Sequence, residues 1–396
     1  MQIYMQELID KVSKTITDHA LLESDTPAVL MVSGGSDSTA LTYLFAELAH
    51  QGRSGETAIL HVNHMLRGEE AYADQAFVAK LAEALNFPFF CCEIDVALLA
   101  QNGGNIEAIG REERYLAAQE ALSSVCLHVG KPISEGVIVT AHTQDDRVEN
   151  FYMRSIVGTG PGGFRSMRYK NNAIVRPLLD CSRQELRTLL EKLHEEKKAI
   201  LSDAGTLWQE DATNAHTDRL RAYVRHKMVP VAQARNPQLL DTLCRTMNLI
   251  ADEDDYLDQV TQDILSDTLQ WIVEANTNDG QHEMIYPYQE DPGEIVAVQL
   301  IPAFGQVARA VQRRCVHAVL VELLGNDARI DASSVTAVLE AFDAEGAVVS
   351  GYVANIAGDL AVSANKRGVR IEPMARFRAR RKPDKKETKN HCSQEV

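Results

Sequence analysis

Residues 31–52 read MVSGGSDSTALTYLFAELAHQG. A hydrophobic run ends at Val32 and turns through Ser33, Gly34, Gly35, Ser36, Asp37 and Ser38. It passes at once into a helical pattern with apolar positions Ala40, Leu41, Leu44, Phe45 and Leu48. Glycines let backbone N–H groups crowd toward one point, and a helix start adds partial positive charge. The hydroxyls of Ser33, Ser36 and Ser38 supply further donors. The combination is an anion cradle sized for phosphates. It lacks the lysine of the G-x-x-x-x-G-K-S/T loop and is not G-x-G-x-x-G. A capped tight turn is the plainer reading of Ser and Asp here, and the paired glycines weigh against it.

Working outward, short apolar runs recur at 28–32, 58–62, 87–94, 137–140 and 173–179. Helical patterns lie between and after them at 38–49, 73–85, 107–127, 145–156 and 182–192. Such alternation predicts an α/β fold, a parallel doubly wound sheet covered by helices on both faces. Right-handed crossovers then bring the strand-to-helix turns to one edge of the sheet.

From Asn236 the texture becomes helical, with Leu239, Leu240, Leu243, Met247, Ile250, Leu257, Val260 and Ile264 in register. The acidic stretch 274–294, broken by Gly and Pro, reads as a surface loop. Further helices are predicted at 304–324 and 333–342, then short strands near 348–353, 360–362 and 369–371. The expected organisation is a catalytic domain at 1–207 and a mainly helical substrate domain at 208–372, closing in short strands. Residues 373–396 read as a basic, disordered tail.

Apolar content of 45% and charged content of 24% suit a globular protein. No run approaches 18 uncharged apolar residues, and the first twelve residues carry acids in an amphipathic pattern, so neither a membrane span nor a signal peptide is expected. Seven scattered cysteines without Cys-x-x-Cys suit free thiols in the cytoplasm. The formal charge of −16 argues against a generic nucleic-acid binder. Basic clusters nevertheless stand out at Arg219, Arg221, Arg225 and Lys227, at Arg309, Arg313 and Arg314, and in the tail. A solvated helix face is the plain alternative for each.

Ser-Gly-Gly-x-Asp-Ser resembles the signature of the N-type ATP pyrophosphatases. Four further stretches narrow the likeness: HVNHMLRGEEAYAD, NIEAIGREERY, VTAHTQDDRVEN and WQEDATNAHTDRLRAYVRHKMVP. In this order they resemble the tRNA(Ile)-lysidine synthetase family, clearly over residues 28–230 and loosely beyond. The resemblance implies the adenine nucleotide alpha hydrolase-like fold, ATP and Mg²⁺, with Ser33, Gly34, Gly35, Ser36, Asp37 and Ser38 around pyrophosphate and Asp37 near the metal. It also implies adenylation of the C2 oxygen of the wobble cytidine in the CAU anticodon of tRNA(Ile). The amine of free L-lysine then displaces AMP to give lysidine. A homodimer is one assembly open to such a chain.

Several residues suit that chemistry. Arg114 can neutralise phosphate or carboxylate as a planar fork, against a surface salt bridge as the plain alternative. His142, at a strand end, can meet the α-phosphate. Asp146, four residues on, can orient His142 or receive the lysine ammonium, against a dipole-favoured helix acid. Asp211, Thr213 and Asn214 read equally as a capped turn. Val157 and Ala222 depart from the family pattern, which has Arg and Asn there. A tRNA thiolase, an ammonia-using synthetase and a non-catalytic ATP-binding relative are the competing readings. The thiolase is disfavoured because the adjacent Cys91 and Cys92 of one strand point to opposite faces.

Overall fold

The structure, a computed structural model, describes residues 2–102, 105–210, 220–277, 280–290, 294–325, 328 and 330–381. It forms two compact units, Met1–Ala251 and Asp252–Val396. The boundary therefore falls later than the 207 expected from sequence. Residues 220–251 join the first unit because Val224, Val229, Leu239, Cys244 and Met247 bury against Val148.

The first unit runs α1 (Gln2–Asp18), β1 (Ala28–Met31), α2 (Ser36–His50), β2 (Thr57–Asn63), α3 (Glu69–Ala84) and β3 (Phe89–Glu93). It continues through α4 (Val96–Leu99), α5 (Ile106–His128), β4 (Val137–Val139), α6 (Gln144–Val157), β5 (Lys170–Asn171), β6 (Ile174–Val175) and α7 (Arg183–Glu195). After the undescribed 211–219 come α8 (Leu220–Tyr223), a π-helical turn (Val224–Met228) and α9 (Val229–Arg235). The sheet order is β3-β2-β1-β4-β6-β5, parallel except for the β5–β6 edge.

Strand periodicity divides the core. Ala28, Leu30 and Val32 face α1, α2 and α7, whose Ile9, Leu44, Phe45 and Leu189 are fully buried. Val29, Leu60 and Ile138 face the other way, onto Ala117, Ala118, Ala121 and Leu122 of α5. From β1 the chain builds outward to β2 and β3, then crosses back to place β4 on the other side of β1. The carboxyl ends of β1 and β4 thus flank the point where strand order reverses, the usual crevice of such sheets.

The second unit starts within α10 (Leu239–Thr268), and holds β7 (Leu269–Thr277), β8 (Gly280–Pro287), β9 (Ile295–Leu300), α11 (Arg309–Leu324) and α12 (Ala332–Leu339). It ends with β10 (Val353–Ile356), β11 (Leu360–Asn365), β12 (Gly368–Pro373) and α13 (Met374–Arg381). Its strands form an antiparallel sheet in the order β10-β11-β12-β9-β7-β8. Phe304, Val316, Leu320, Leu339 and Phe342 bury against it with Val298, Val362 and Ile371.

Two expectations are corrected here. Most of the stretch read as a surface loop belongs to β7 and β8, paired in register from Gln270↔Pro287 to Thr277↔Gly280. The start of the expected disordered tail is helical, because Met374 and Phe377 bury against Ala361. Residues 382–396 lie outside the described residues.

Candidate active site

The turn after β1 has the cradle's backbone. Gly34 sits at φ +88, a region that suits glycine, and Gly35 is the extended N-cap of α2. The Gly34 carbonyl accepts from Gln209 N at 2.9 Å and from Thr39 Oγ1 at 3.2 Å. Ser33 Oγ and Ser38 Oγ lie 3.2 Å apart, and Ser36 Oγ donates to Asp37 Oδ1 at 3.0 Å. Arg187 stacks on Trp208 and reaches Ser36 Oγ at 3.4 Å. Segment 208–210 is thereby drawn over the turn.

The turn after β4 supplies the next groups. Thr140 Oγ1 and His142 Nδ1 are 2.9 Å apart. Burial pushes the His142 imidazole down to about 4, so it is neutral at pH 7. Thr143 caps α6 through a capping box: Asp146 Oδ2 accepts from Thr143 N at 2.8 Å and from its Oγ1 at 3.0 Å. The other oxygen, Asp146 Oδ1, faces the crevice.

One residue that the sequence did not single out ties these turns together. Arg183, at the start of α7, donates through Nε to Asp37 Oδ2 at 3.2 Å. Its Nη2 reaches Asp146 Oδ1 at 3.2 Å and its Nη1 reaches Glu149 Oε1 at 3.4 Å. Its own backbone N–H is capped by Asp145 Oδ2 at 2.7 Å. Burial alone would lower the guanidinium pKa, but Asp37, Asp146 and Glu149 raise it. Burial pushes Asp37 up, opposed by Arg183. Burial would also raise Asp146, yet Arg183 and Arg221 hold it below the ordinary carboxylate value.

Two residues of the expected tRNA stripe lie in this site. Arg221 reaches Glu149 Oε2 at 2.9 Å and Asp146 Oδ1 at 2.8 Å. Arg225 reaches Glu149 Oε1 at 2.6 Å and Oε2 at 3.0 Å. Glu149, 2% exposed, is the hub of three guanidiniums. Arg219, Asp211, Thr213 and Asn214 lie outside the described residues, while Lys227 is exposed.

In the second unit Arg314 is occupied by Asp254 at 2.8 Å and by Asp258 at 2.5 Å. Arg309 donates to Leu339 O at 3.1 Å, and Arg313 is exposed.

Arg114 is exposed on the first turns of α5, beside His64. Burial, then Arg114, brings His64 down to about 4. His61 is buried with Nδ1 2.9 Å from Val32 O, under the cradle. The acids beside the turn after β1 are thus interlaced with Arg183, Arg221 and Arg225, while Arg114 feels Glu107 of its own helix.

The donor set fits Mg²⁺ held jointly with phosphate oxygens, since Asp37 offers a hard oxygen beside the cradle. Among the described residues no group of three or more His, Cys, Asp or Glu could hold a metal without such help.

The PP-loop domain profile matches residues 5–232. A tRNA(Ile)-lysidine synthase of Thermus thermophilus is 36% identical over 235 residues, 59% of this chain and 41% of that protein. One from Caldanaerobacter subterraneus subsp. tengcongensis is 30% identical over 262 residues, 65% of this chain and 52% of that protein. The chain thus spans about half the length of the curated relatives it matches. Among solved structures, a U34-tRNA thiolase of Methanococcus maripaludis is 15% identical, with TM-score 0.47, covering 64% of this chain and 81% of that one.

Proposed function

The chain belongs to the PP-loop domain family, and on that premise we propose that it ligates free L-lysine to the wobble cytidine of tRNA(Ile) with a CAU anticodon. The observation that carries this reading is the crevice at β1 and β4, where the turn at 34–38 lies beside Asp37, Asp146 and Glu149, all three joined by Arg183. ATP adenylates the C2 oxygen of cytidine 34 and pyrophosphate leaves into the cradle. The lysine amine then attacks C2, AMP departs with the C2 oxygen, and lysidine results.

Each residue group has a part in the proposal. Backbone amides of Gly34 to Ser38 and the α2 dipole bind pyrophosphate. Asp37 would hold Mg²⁺, which would neutralise charge on the transferring phosphates. Neutral His142 donates a hydrogen bond to the α-phosphate. Asp146 takes the ammonium of the incoming lysine through Oδ1, with Arg183 keeping that oxygen aligned. Arg114 faces the anionic side of the substrates. Lys227 and Arg313 are the exposed basic residues for tRNA phosphates, with Arg309 offering what its bond to Leu339 O leaves over.

The site disfavours sulfur transfer as the alternative. Cys91 and Cys92 lie on β3 at the far edge of the sheet, and the other described thiols are buried. Burial pushes Cys181 up to about 12, where no thiolate forms near neutrality.

The deciding experiment is incubation with ATP, Mg²⁺, lysine and an unmodified isoleucine tRNA transcript, followed by mass spectrometry. A lysine-sized addition at one cytidine is expected, with one AMP per addition. ATP binding without lysine-dependent AMP would instead identify a non-catalytic relative.

A further inference from the structure

Arg176 follows the last residue of β6 and is 7% exposed. Its backbone N–H donates to Tyr169 O at 2.9 Å, and Val175 O accepts from Thr140 N at 3.0 Å. These bonds fix it beside the turn that carries His142. Its Nη1 donates to Arg168 O at 2.8 Å, while its Nε is buried without any partner. Arg111 lies over the ring of Tyr115 at 5.8 Å, and the hydroxyl of that ring faces Arg176. Arg111 and Arg176 both bear on His142.

A guanidinium does not lose its proton in a protein. Burying one without a counter-charge is strongly disfavoured. Elsewhere in the first unit this rule is obeyed: the buried Arg147 lies 3.8 Å from Asp180, and Arg183 is surrounded by carboxylates. Arg176 meets no carboxylate among the described residues, only the Arg168 carbonyl and the Tyr115 hydroxyl, and the exposed Arg111 and Arg114 add positive charge on the neighbouring α5. The missing partner is therefore an anion that enters the crevice. The orphaned Nε and the planar fork suit a tetrahedral oxyanion.

We propose that Arg176, with Arg111 and Arg114, holds a phosphate group at the carboxyl ends of β4 and β6, one strand beyond the 33–38 cradle. This deepens the function proposed above and rests on its reading of the crevice as a phosphate-handling site. The phosphate belongs either to ATP or to the tRNA backbone near the target base, and the experiment separates the two. Arg176 is a binding residue here, supplying charge that the cradle, filled by pyrophosphate, cannot.

The test compares wild type with Arg176→Gln and Arg176→Lys. The glutamine variant can still bond to the Arg168 carbonyl, and the lysine variant keeps charge without the fork. Thermal midpoints are measured without ligand. Affinities are measured by calorimetry for ATP alone and by titration for the tRNA transcript alone. A loss of about ten- to a hundredfold in Arg176→Gln, smaller in Arg176→Lys, is expected for one ligand. Loss confined to ATP assigns a nucleotide phosphate, and loss confined to tRNA assigns a backbone phosphate. Both affinities within about twofold of wild type, in whichever variant folds, would overturn the proposal and leave Arg176 a clamp on the Arg168 loop. These binding measurements do not depend on turnover. A failed lysine assay would sink the functional reading while the Arg176 comparison still gives its own answer.

Discussion

Asp37 shows how much one position can be asked to do. It sits in the first turn of α2, bonded to Ser36 and to Arg183. On the function proposed above, Asp37→Asn should lower ATP-dependent AMP formation by at least about a hundredfold, because a carboxylate that would hold Mg²⁺ supplies several kcal/mol of charge stabilisation. Circular dichroism should be unchanged; near wild-type turnover at ordinary Mg²⁺ would remove Asp37 from the mechanism. His64 and His142 make a second prediction. Both folded values are about 4, below the ordinary 6.5, so the unfolded chain takes up protons first as the pH falls. Neither imidazole weighs on stability above about 6.5, and both destabilise progressively from there down to about 4. Replacing both by Gln should flatten the fall in thermal midpoint over that window, and an unchanged profile would show that other groups govern it. At this scale the tight turn from β1 into α2 was legible, because Gly-Gly amid Ser and Asp marks a strand-to-helix turn with a positive φ. Arg183 was not legible: it stands 146 residues from Asp37, in a segment that reads only as a capped helix start.

At the scale of elements, α6 and the segment 220–235 are joined through charge. The spacing of Arg221 and Arg225 suggested an outward basic face, and spacing alone does not tell which way a face turns. Glu149, in the second turn of α6, decides it by taking both guanidiniums inward. Glu149→Ala should destabilise the protein by about 3–5 kcal/mol, since removing one partner of a buried pair leaves its guanidiniums uncompensated. Glu149→Gln should cost less. Denaturant midpoints measure both, and a loss under about 1 kcal/mol for the alanine variant would show solvent replacing the carboxylate freely. The π-helical turn lies within the same segment, a distortion often found at functional sites. The parallel strands were legible because runs buried on both faces stand out from their surroundings. The β7–β8 hairpin was missed because its acids hid an alternation around Trp271, Val273 and Tyr286. The Asn-Asp-Gly at 278–280 was the turn signal that could have found it.

For the molecule as a whole, the function proposed above combined with a charge of −16 would have tRNA met by local basic residues. Lys227→Ala with Arg313→Ala should flatten the slope of log affinity against log salt by about one to two units, with ATP affinity unchanged. An unaltered slope would mean that these residues are only solvated. The C-terminal arginines divide between two tasks. Arg376 bonds Glu274 and Glu283, and Arg380 bonds the fully buried Glu372, which Arg370 also holds. Ending the chain at Pro373 should cost the second unit about 3 kcal/mol relative to ending it at Arg381, because Glu372 loses a partner while buried. Equal midpoints for the two truncations would show that α13 adds nothing. Composition gave the tail its basic character and could not show that Phe377 anchors the first part of it.

The split carboxylate of Asp146 also bears on how such a protein can diverge. One oxygen starts α6 and the other faces the crevice, so a lineage drifting toward another chemistry must satisfy both duties with whatever side chain replaces this acid. Asparagine keeps the cap but discards the charge, and glutamate keeps the charge but overreaches the cap by a methylene. Most single-step substitutions here are therefore dead ends.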